Sequence, residues 1–310
     1  MTCHNCRTQC KKFGRDRKGN QRHRCRQCGK TYSDRRERLE GTYLPPQKIT
    51  SIIRLLVEGM SIRSIERASG FHRDTILNVL VLVGEHCERL LERTVHAVPV
   101  KNVETDEIWA YVGCHEKRNV SGNPLFGDCY CFVAIERGTK LILCWQMGKR
   151  TARDTQEFIG KLDEATAGIF QLSTDGYGPY FDAIHTALAH RVHYGQIIKS
   201  YGQTGDEDHR YSPPQVVDIT IKPMWGNPDP EKICTSYIER QNLTLRMHMR
   251  RLTRLTNAYS KKWENLRAAY ALWFTFYNFC RVHQTLRVTP AMEAGLTDHV
   301  WTLGELLEAA

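Results

Sequence analysis

Three stretches near the start of the chain carry apolar residues at helical spacing. The first follows the i, i+3, i+4, i+7 pattern of an amphipathic helix and ends at Gly59. Ser61 can cap a second, short helix, and Gly70 allows a turn before a third. A short helix, a tight turn and a longer helix predict a helix-turn-helix over residues 45–95. The apolar positions are Ile49, Ile52, Ile53 and Leu56, then Ile62, Ile65 and Ala68, then Ile76, Val79, Leu80 and Val83.

The start of the third predicted helix has a polar face. Such side chains can contact base edges when a helix enters the major groove of DNA. The alternative is a plain three-helix bundle used for packing or dimer contacts. The candidate base-contacting residues are His72, Arg73, Thr75 and Asn78, with Asp74 beside them.

From about residue 100 the pattern changes to alternating strands followed by a helix. Strands are predicted over residues 102–113, 129–136 and 140–147, a helix over 151–168 and a fourth strand over 169–174. Three consecutive strands, a helix and a further strand predict an α/β fold, with helices packed on a mixed sheet.

Four N-terminal cysteines have the spacing of a zinc site. Cys3 and Cys6 form one C-x-x-C pair, and Cys25 and Cys28 form another after 18 intervening residues. Two such pairs complete a tetrahedral thiolate site, and a segment this small and polar needs the metal in order to fold. We therefore predict a structural Zn²⁺ in a zinc ribbon over residues 1–40.

The positive charge of the chain is concentrated at its start. The formal net charge is +10, and residues 1–45 contain 13 lysines and arginines against four acids. A basic block of this density is typical of proteins that bind phosphate backbones. The chain shows no apolar signal-peptide core and no stretch of about 20 apolar residues, so we expect a cytoplasmic protein without a membrane partner.

Two aspartates lie where an acid is unusual. Strand alternation puts Asp106 on the same face as Ile108 and Ala110, where an ionised carboxylate is costly unless a cation or hydrogen bonds compensate. Asp175 ends the fourth predicted strand, where α/β sheets place their chemistry. Taken singly, an aspartate at a strand end is more often a turn or cap residue.

A third acid, Glu239, begins a basic helix, and Arg246 follows seven residues later on the same face. The competing interpretation is a capping box formed by Ser236 and Glu239. Further acids lie in a polar, proline-rich stretch over residues 201–231, for which a solvated loop is the expected structure. They are Asp206, Glu207 and Asp208.

Four segments follow one another along the chain: TDEIWAYVG (105–113), STDGYGPY (173–180), YIERQNLTLRMHMRRLTRLTNAYSKK (237–262) and YNFCRVHQTL (277–286). In this order they resemble transposases of the insertion-sequence-one family. The resemblance covers nearly the whole chain, because the zinc ribbon and helix-turn-helix match the layout of that family. It implies an RNase H-like catalytic domain over residues 100–290, a C-terminal tail over 291–310, a DDE triad of Asp106, Asp175 and Glu239, and a basic partner at Arg246.

Three carboxylates suit hard cations, and two Mg²⁺ or Mn²⁺ ions about 4 Å apart can serve in-line phosphoryl transfer. The expected partners are double-stranded DNA, as terminal repeats and as target, and further copies of the chain on that DNA in the nucleoid. A non-enzymatic DNA-binding regulator and a nuclease that cuts without joining remain alternatives. Arg250, Arg251 and Arg254 are further candidate DNA contacts.

Overall fold

A computed structural model describes residues 3, 6, 8–15, 21–33, 44–202, 216–254 and 256–309. They belong to two compact units, Met1–Ile49 and Thr50–Ala310. Within the described ranges, no helix has the length and apolar character needed to cross a membrane.

The N-terminal unit contains a small antiparallel sheet of three strands. These are β1 (Cys10–Arg15), β2 (Gln21–Cys25) and β3 (Thr31–Ser33), with β2 in the centre. The register pairs Cys10 with Cys25, so the second C-x-x-C pair begins at the last residue of the central strand. The sheet exposes most of β1, and so little apolar burial is available to hold it.

Three helices follow, close to the predicted bounds. They are α1 (Pro46–Val57), α2 (Ile62–Ser69) and α3 (Arg73–Thr94). The Ser61 hydroxyl caps α2 by accepting a hydrogen bond from the Ser64 backbone N–H. Gly70 ends α2 with φ of +71°, a left-handed conformation that glycine adopts without steric cost. The predicted apolar stripe of α3 is buried, from Ile76 to Val83.

A mixed sheet forms the centre of the large unit. This part of the chain contains the strands of the sheet, two helices and two short strands outside the sheet. In chain order they are β4 (Val98–Pro99), β5 (Asn102–Val112), β6 (Gly127–Glu136), β7 (Ile142–Gly148), α4 (Ala152–Ala165), β8 (Thr166–Ala167), β9 (Phe170–Thr174), α5 (Pro179–Leu188), β10 (Val192–Tyr201) and β11 (Val216–Trp225). The described strands of the sheet have the order β11-β10-β9-β5-β6-β7. β5, β6 and β7 are consecutive antiparallel strands, whereas β9 and β10 run parallel to β5. β4 pairs with β8 apart from this sheet.

The predicted α/β character and large mixed sheet with flanking helices are confirmed. β11 corrects one expectation, because it occupies part of the stretch expected to be a loop. Its apolar residues Val217, Ile219 and Ile221 are exposed, so the burial that identifies most strands is missing there.

The chain continues with α6 (Ser236–His248), α7 (Trp263–Phe279), α8 (Pro290–Glu293) and α9 (Leu303–Ala309). α3 packs closely along α7: a Cβ added at Gly84 would lie 2.5 Å from Ala268. A larger residue at Gly84 would therefore force these two helices apart. The division into domains at residues 45–95, 100–290 and 291–310 stays a prediction.

Candidate active site and metal centre

Two aspartates that are distant in sequence meet on adjacent strands. β5 and β9 run parallel with Glu104 beside Ser173. Asp106 and Asp175 each lie two residues further along, so the register brings them side by side. Asp175 also accepts a 3.0 Å hydrogen bond from the Tyr177 backbone N–H, which fixes the turn after β9.

A third acid, Glu107, completes a close carboxylate cluster with these two. Single carboxylate oxygens of Asp106, Glu107 and Asp175 all lie within 4.8 Å of one another. The Glu107 side chain is only 3% exposed. Glu107 is not among the site residues predicted from the sequence, although a second acid in a largely apolar strand indicates the need for a compensating cation.

Arg150 is the cation next to this cluster. Its Nη2 lies 3.0 Å from Glu107 Oε2 and 3.9 Å from Asp175 Oδ2. The guanidinium carbon lies 4.2 Å from the Tyr177 ring centroid, and the Tyr177 hydroxyl donates a 2.6 Å hydrogen bond to the Arg150 carbonyl. Arg150 has φ of +61°, which is costly for a residue with a side chain. These contacts hold Arg150 beside the acids despite that cost.

The start of α6 is capped differently from the alternative suggested for Glu239. Its N-cap residue is Thr235, so Ser236 does not occupy the cap position of a capping box. The buried Glu104 of β5 supplies the acceptor. Its Oε2 accepts hydrogen bonds of 2.8 and 3.1 Å from the backbone N–H groups of the second and third helical residues. A carboxylate at a helix N-terminus is favourable because the helix dipole is positive there.

Glu239 lies outside the group of three clustered acids. Its Oε1 accepts hydrogen bonds from Lys199 of β10 and, at 2.7 Å, from the Thr235 hydroxyl. Its side chain is 46% exposed. The charge of Glu239 nevertheless contributes to the raised pKa of Asp106, so the two carboxylates interact electrostatically.

α6 packs along β5 and carries both Glu239 and the other predicted residue of the site, Arg246. Asn242, one turn after Glu239 on the same face, donates a 2.8 Å hydrogen bond to Asp106 Oδ2. Arg246, one turn further, donates to the carbonyl oxygens of Leu252 and Trp109 at 3.1 and 3.3 Å. The helix therefore presents Glu239, Asn242 and Arg246 along one edge of the site.

Burial makes Asp106 and Glu107 hard to ionise. It raises the pKa of Asp106 to about 6, and the charges of Asp175 and Glu239 add to the rise. Burial also raises the pKa of Glu107 to about 7, with a further increase from the charge of Asp175. Clustered oxygens of this kind are the ligands that hard divalent cations prefer, and a cation would favour the ionised forms.

The four predicted cysteines come together in the N-terminal unit. One sulfur atom from each of Cys3, Cys6, Cys25 and Cys28 lies within 4.8 Å of the others, and the sulfurs of Cys3 and Cys28 are 3.6 Å apart. Tetrahedral coordination with Zn–S bonds of about 2.3 Å requires sulfurs about 3.8 Å apart. The donor set and its spacing therefore fit zinc.

The candidate DNA-contacting residues lie at accessible positions. His72, Arg73 and Asn78 are exposed at the start of α3, and Thr75 is partly exposed. His72 is also the N-cap of α3, and its Nδ1 accepts a hydrogen bond from the Asp74 backbone N–H. Their contact with DNA stays a prediction.

Three arginines follow α6 at or near the surface. Arg250 and Arg254 are exposed. Arg251 donates hydrogen bonds to the Ser260 hydroxyl and the Asn265 carbonyl. The acids considered in the 201–231 stretch, Asp206, Glu207 and Asp208, lie outside the described residues.

No protein-family model and no curated protein matches this chain. Among solved structures, a cryo-EM structure of a piggyBac transposase synaptic complex with hairpin DNA matches 85% of this chain and 69% of its own, at 10% identity and a TM-score of 0.37. A crystal structure of a pre-cleavage Mos1 transpososome matches 51% of this chain and 61% of its own, at 14% identity and a TM-score of 0.19. At these TM-scores neither likeness carries an argument about function.

Proposed function

We propose that this protein is a DNA transposase of the insertion-sequence-one type, which binds the ends of its element and catalyses strand cleavage and strand transfer. The observation that carries the proposal is the meeting of Asp106 and Asp175 on adjacent parallel strands, with α6 holding Glu239 alongside β5. The ordered motif series supports it. The three antiparallel strands joined to two parallel ones support an RNase H-like core.

In this proposal Asp106, Asp175 and Glu239 hold Mg²⁺ or Mn²⁺, because carboxylate oxygens suit hard cations. The chemistry that such cations would supply is activation of the attacking oxygen and stabilisation of the leaving oxygen in an in-line displacement. Glu107, which pairs with Arg150 at 3.0 Å, has the role of holding that arginine beside the metal ligands.

The residues around the acids position them. Glu104 anchors the start of α6, and Asn242 holds one oxygen of Asp106. Arg150 and Lys199 place positive charge beside the acids, where phosphate oxygens of a DNA strand would also lie.

The remaining parts of the proposal concern DNA and partners. The polar residues at the start of α3 contact bases, and the arginines after α6 contact phosphates of the terminal repeats and target. The four cysteines hold one structural Zn²⁺ in a ribbon that adds phosphate contacts. More than one copy of the chain acts on the DNA in the cytoplasm.

A cleavage and joining assay on DNA carrying the ends of the element tests this function. With Mg²⁺, we expect a 3′-hydroxyl nick at the end and a joined product when a pre-cleaved end is supplied. Glu239→Gln should reduce both by at least about a thousandfold, because losing a metal-ligand charge removes several kcal/mol of transition-state stabilisation. Glu107→Gln should reduce cleavage and joining only about tenfold, because Arg150 would lose its ionised partner and shift.

Glu264→Gln is the matched control. Glu264 also lies in the first turn of a helix and is paired with a lysine, Lys262, at 3.3 Å. The Glu264→Gln protein should cut DNA at the wild-type rate. Wild-type protein that binds the ends but neither cuts nor joins would support the DNA-binding regulator instead, and cutting without joining would support the nuclease. If Glu107→Gln abolishes cleavage while Glu239→Gln does not, Glu107 is the third acid.

A further inference from the structure

A pocket of about 450 Å³ lies at the end of β5 that follows the acids. Aromatic side chains and arginines dominate its lining. Those that matter here are Trp109, Tyr111, Tyr259, Arg246, Arg251 and Arg254.

The pocket is close to the acids along the strand. Trp109 lies three residues after Asp106 on β5, a separation of about 10 Å along the strand. That distance corresponds to about three nucleotides at the 3.4 Å rise of B-DNA. Arg246 connects the two places, because it lies on the helix that carries Glu239 and donates to the Trp109 carbonyl. A DNA strand crossing the metal ligands would therefore reach the pocket within about three nucleotides.

The aromatic side of the pocket is already assembled. The Tyr111 ring centroid lies 4.6 Å from that of Tyr259 and 5.8 Å from that of Trp109. Tyr259 is held against β5 because the Gly113 backbone N–H donates a 2.9 Å hydrogen bond to the Ser260 carbonyl. Trp109 is partly exposed, which leaves aromatic surface on which a base can stack.

The arginines give the pocket a positive charge that no described ion pair within the protein neutralises. The described hydrogen bonds of Arg246 and Arg251 go to neutral acceptors, namely three carbonyl oxygens and the Ser260 hydroxyl. Burial lowers the pKa of both guanidinium groups, and that of Arg251 to about 10. Arg254 is exposed, and its charge lowers the pKa of Arg246 further. An anionic ligand would relieve this repulsion.

We propose that this pocket takes a single DNA nucleotide lifted out of the duplex within about three nucleotides of the cleavage position. Its base stacks on Trp109, and its phosphate binds Arg246 and Arg254. Aromatic stacking and arginine contacts to phosphate are together the usual means of holding an unpaired nucleotide. This inference rests on the proposed function, since it assumes that DNA crosses the carboxylates.

Equilibrium binding without divalent metal tests the pocket independently of cleavage. The probes are a short fully paired duplex and the same duplex with one unpaired fluorescent purine analogue. Wild-type protein should bind the second about tenfold more tightly, which is within the range that stacking of one base provides. The fluorescence of the analogue should fall on binding because it stacks on Trp109.

Variants locate the effect. Trp109→Ala should remove both the preference and the fluorescence change, whereas Trp109→Phe should keep most of each. Phe181→Ala is the control, because Phe181 is an aromatic residue of α5 that is 41% exposed. If Trp109→Ala fails to fold, Arg254→Ala, at an exposed position, should still reduce the preference severalfold.

Two results would overturn the pocket assignment: equal binding of both duplexes by wild-type protein, or an unchanged preference in Trp109→Ala. Glu239→Gln should keep the preference while losing cleavage. A protein that shows the preference but never cleaves would refute the proposed enzyme activity alone.

Discussion

The four-cysteine cluster and the carboxylate cluster assemble over very different distances along the chain. Each C-x-x-C pair brings two sulfurs together within a single turn, and one short sheet joins the pairs. The acids, in contrast, need the parallel register of β5 and β9. Glu239 lies near these acids because α6 packs along β5. One centre is therefore determined by local spacing and the other by tertiary structure.

The difference extends to the surroundings of each centre. The described strands around the sulfurs bury little apolar surface, so we expect metal binding to supply the folding free energy of this unit. The acids lie in a packed unit that raises the pKa of Asp106 and Glu107 and neutralises acids with Arg150 and Lys199. Removing metal should unfold the first centre but leave the second intact.

Replacing one sulfur ligand gives the largest expected effect. Cys25→Ser should reduce bound zinc from one equivalent to none and unfold the N-terminal unit, since structural zinc contributes about 10–16 kcal/mol. Melting of the large unit should not change. Elemental analysis and thermal unfolding measure the two outcomes.

Cys10→Ser is the matched control, because Cys10 pairs with Cys25 in the sheet but lies outside the four-sulfur group. It should keep its zinc. Full zinc occupancy in Cys25→Ser, or a large unit that melts much earlier, would show that the two centres do not differ in this way.

An intermediate effect is expected at Glu104, because this residue anchors the start of α6, the helix that carries Glu239. Glu104→Ala leaves two backbone N–H groups of α6 without their buried acceptor and should cost about 3 kcal/mol of unfolding free energy. Cleavage should also fall, because α6 holds Glu239 and Asn242. Glu104→Gln keeps an acceptor and should cost less than about 1 kcal/mol.

Thr289→Ala separates positioning from stability. The Thr289 hydroxyl caps α8 by accepting from the Met292 backbone N–H, and its loss should cost about 1 kcal/mol without affecting cleavage. Equal cleavage by Glu104→Ala and wild type at a temperature where both are folded would mean that α6 does not need this anchor.

The sequence predicts local features of this molecule well. The strands expected over 102–113, 129–136 and 140–147 correspond to β5, β6 and β7, because alternation of apolar residues is a local signal. β11 was not predicted from the sequence, since it lies in a polar, proline-rich stretch for which a solvated loop is the expected structure.

The partners of the acids could not be predicted. Glu104 meets the start of α6 across more than 130 residues, and Lys199 meets Glu239 across 40. Arg150 reaches Glu107 because a turn after β7 adopts a left-handed conformation. Each of these contacts depends on register and helix packing, for which residue spacing carries no signal.

The smallest effect is a pH dependence of the large unit that the cysteine cluster should not share. The folded-state pKa values of about 6 for Asp106 and about 7 for Glu107 lie above those of free carboxyl groups, which are near 4. The folded protein thus binds more protons than the unfolded chain between these values. These two groups destabilise the metal-free fold above pH 7, and this cost decreases as the pH falls through the two folded-state values and disappears only below the unfolded values near 4.

Comparison of variants isolates this contribution from other titrating groups. Lowering the pH from 8 to 5.5 without metal should raise the melting temperature of the wild type by a few degrees more than that of Asp106→Asn with Glu107→Gln. Mg²⁺ should oppose the trend, because it competes with protons for the same oxygens, and should stabilise the wild type more at pH 8 than at pH 5.5. Parallel melting curves for wild type and the double variant would mean that burial at this site carries no electrostatic cost, and the contrast with the cysteine cluster would then rest on assembly alone.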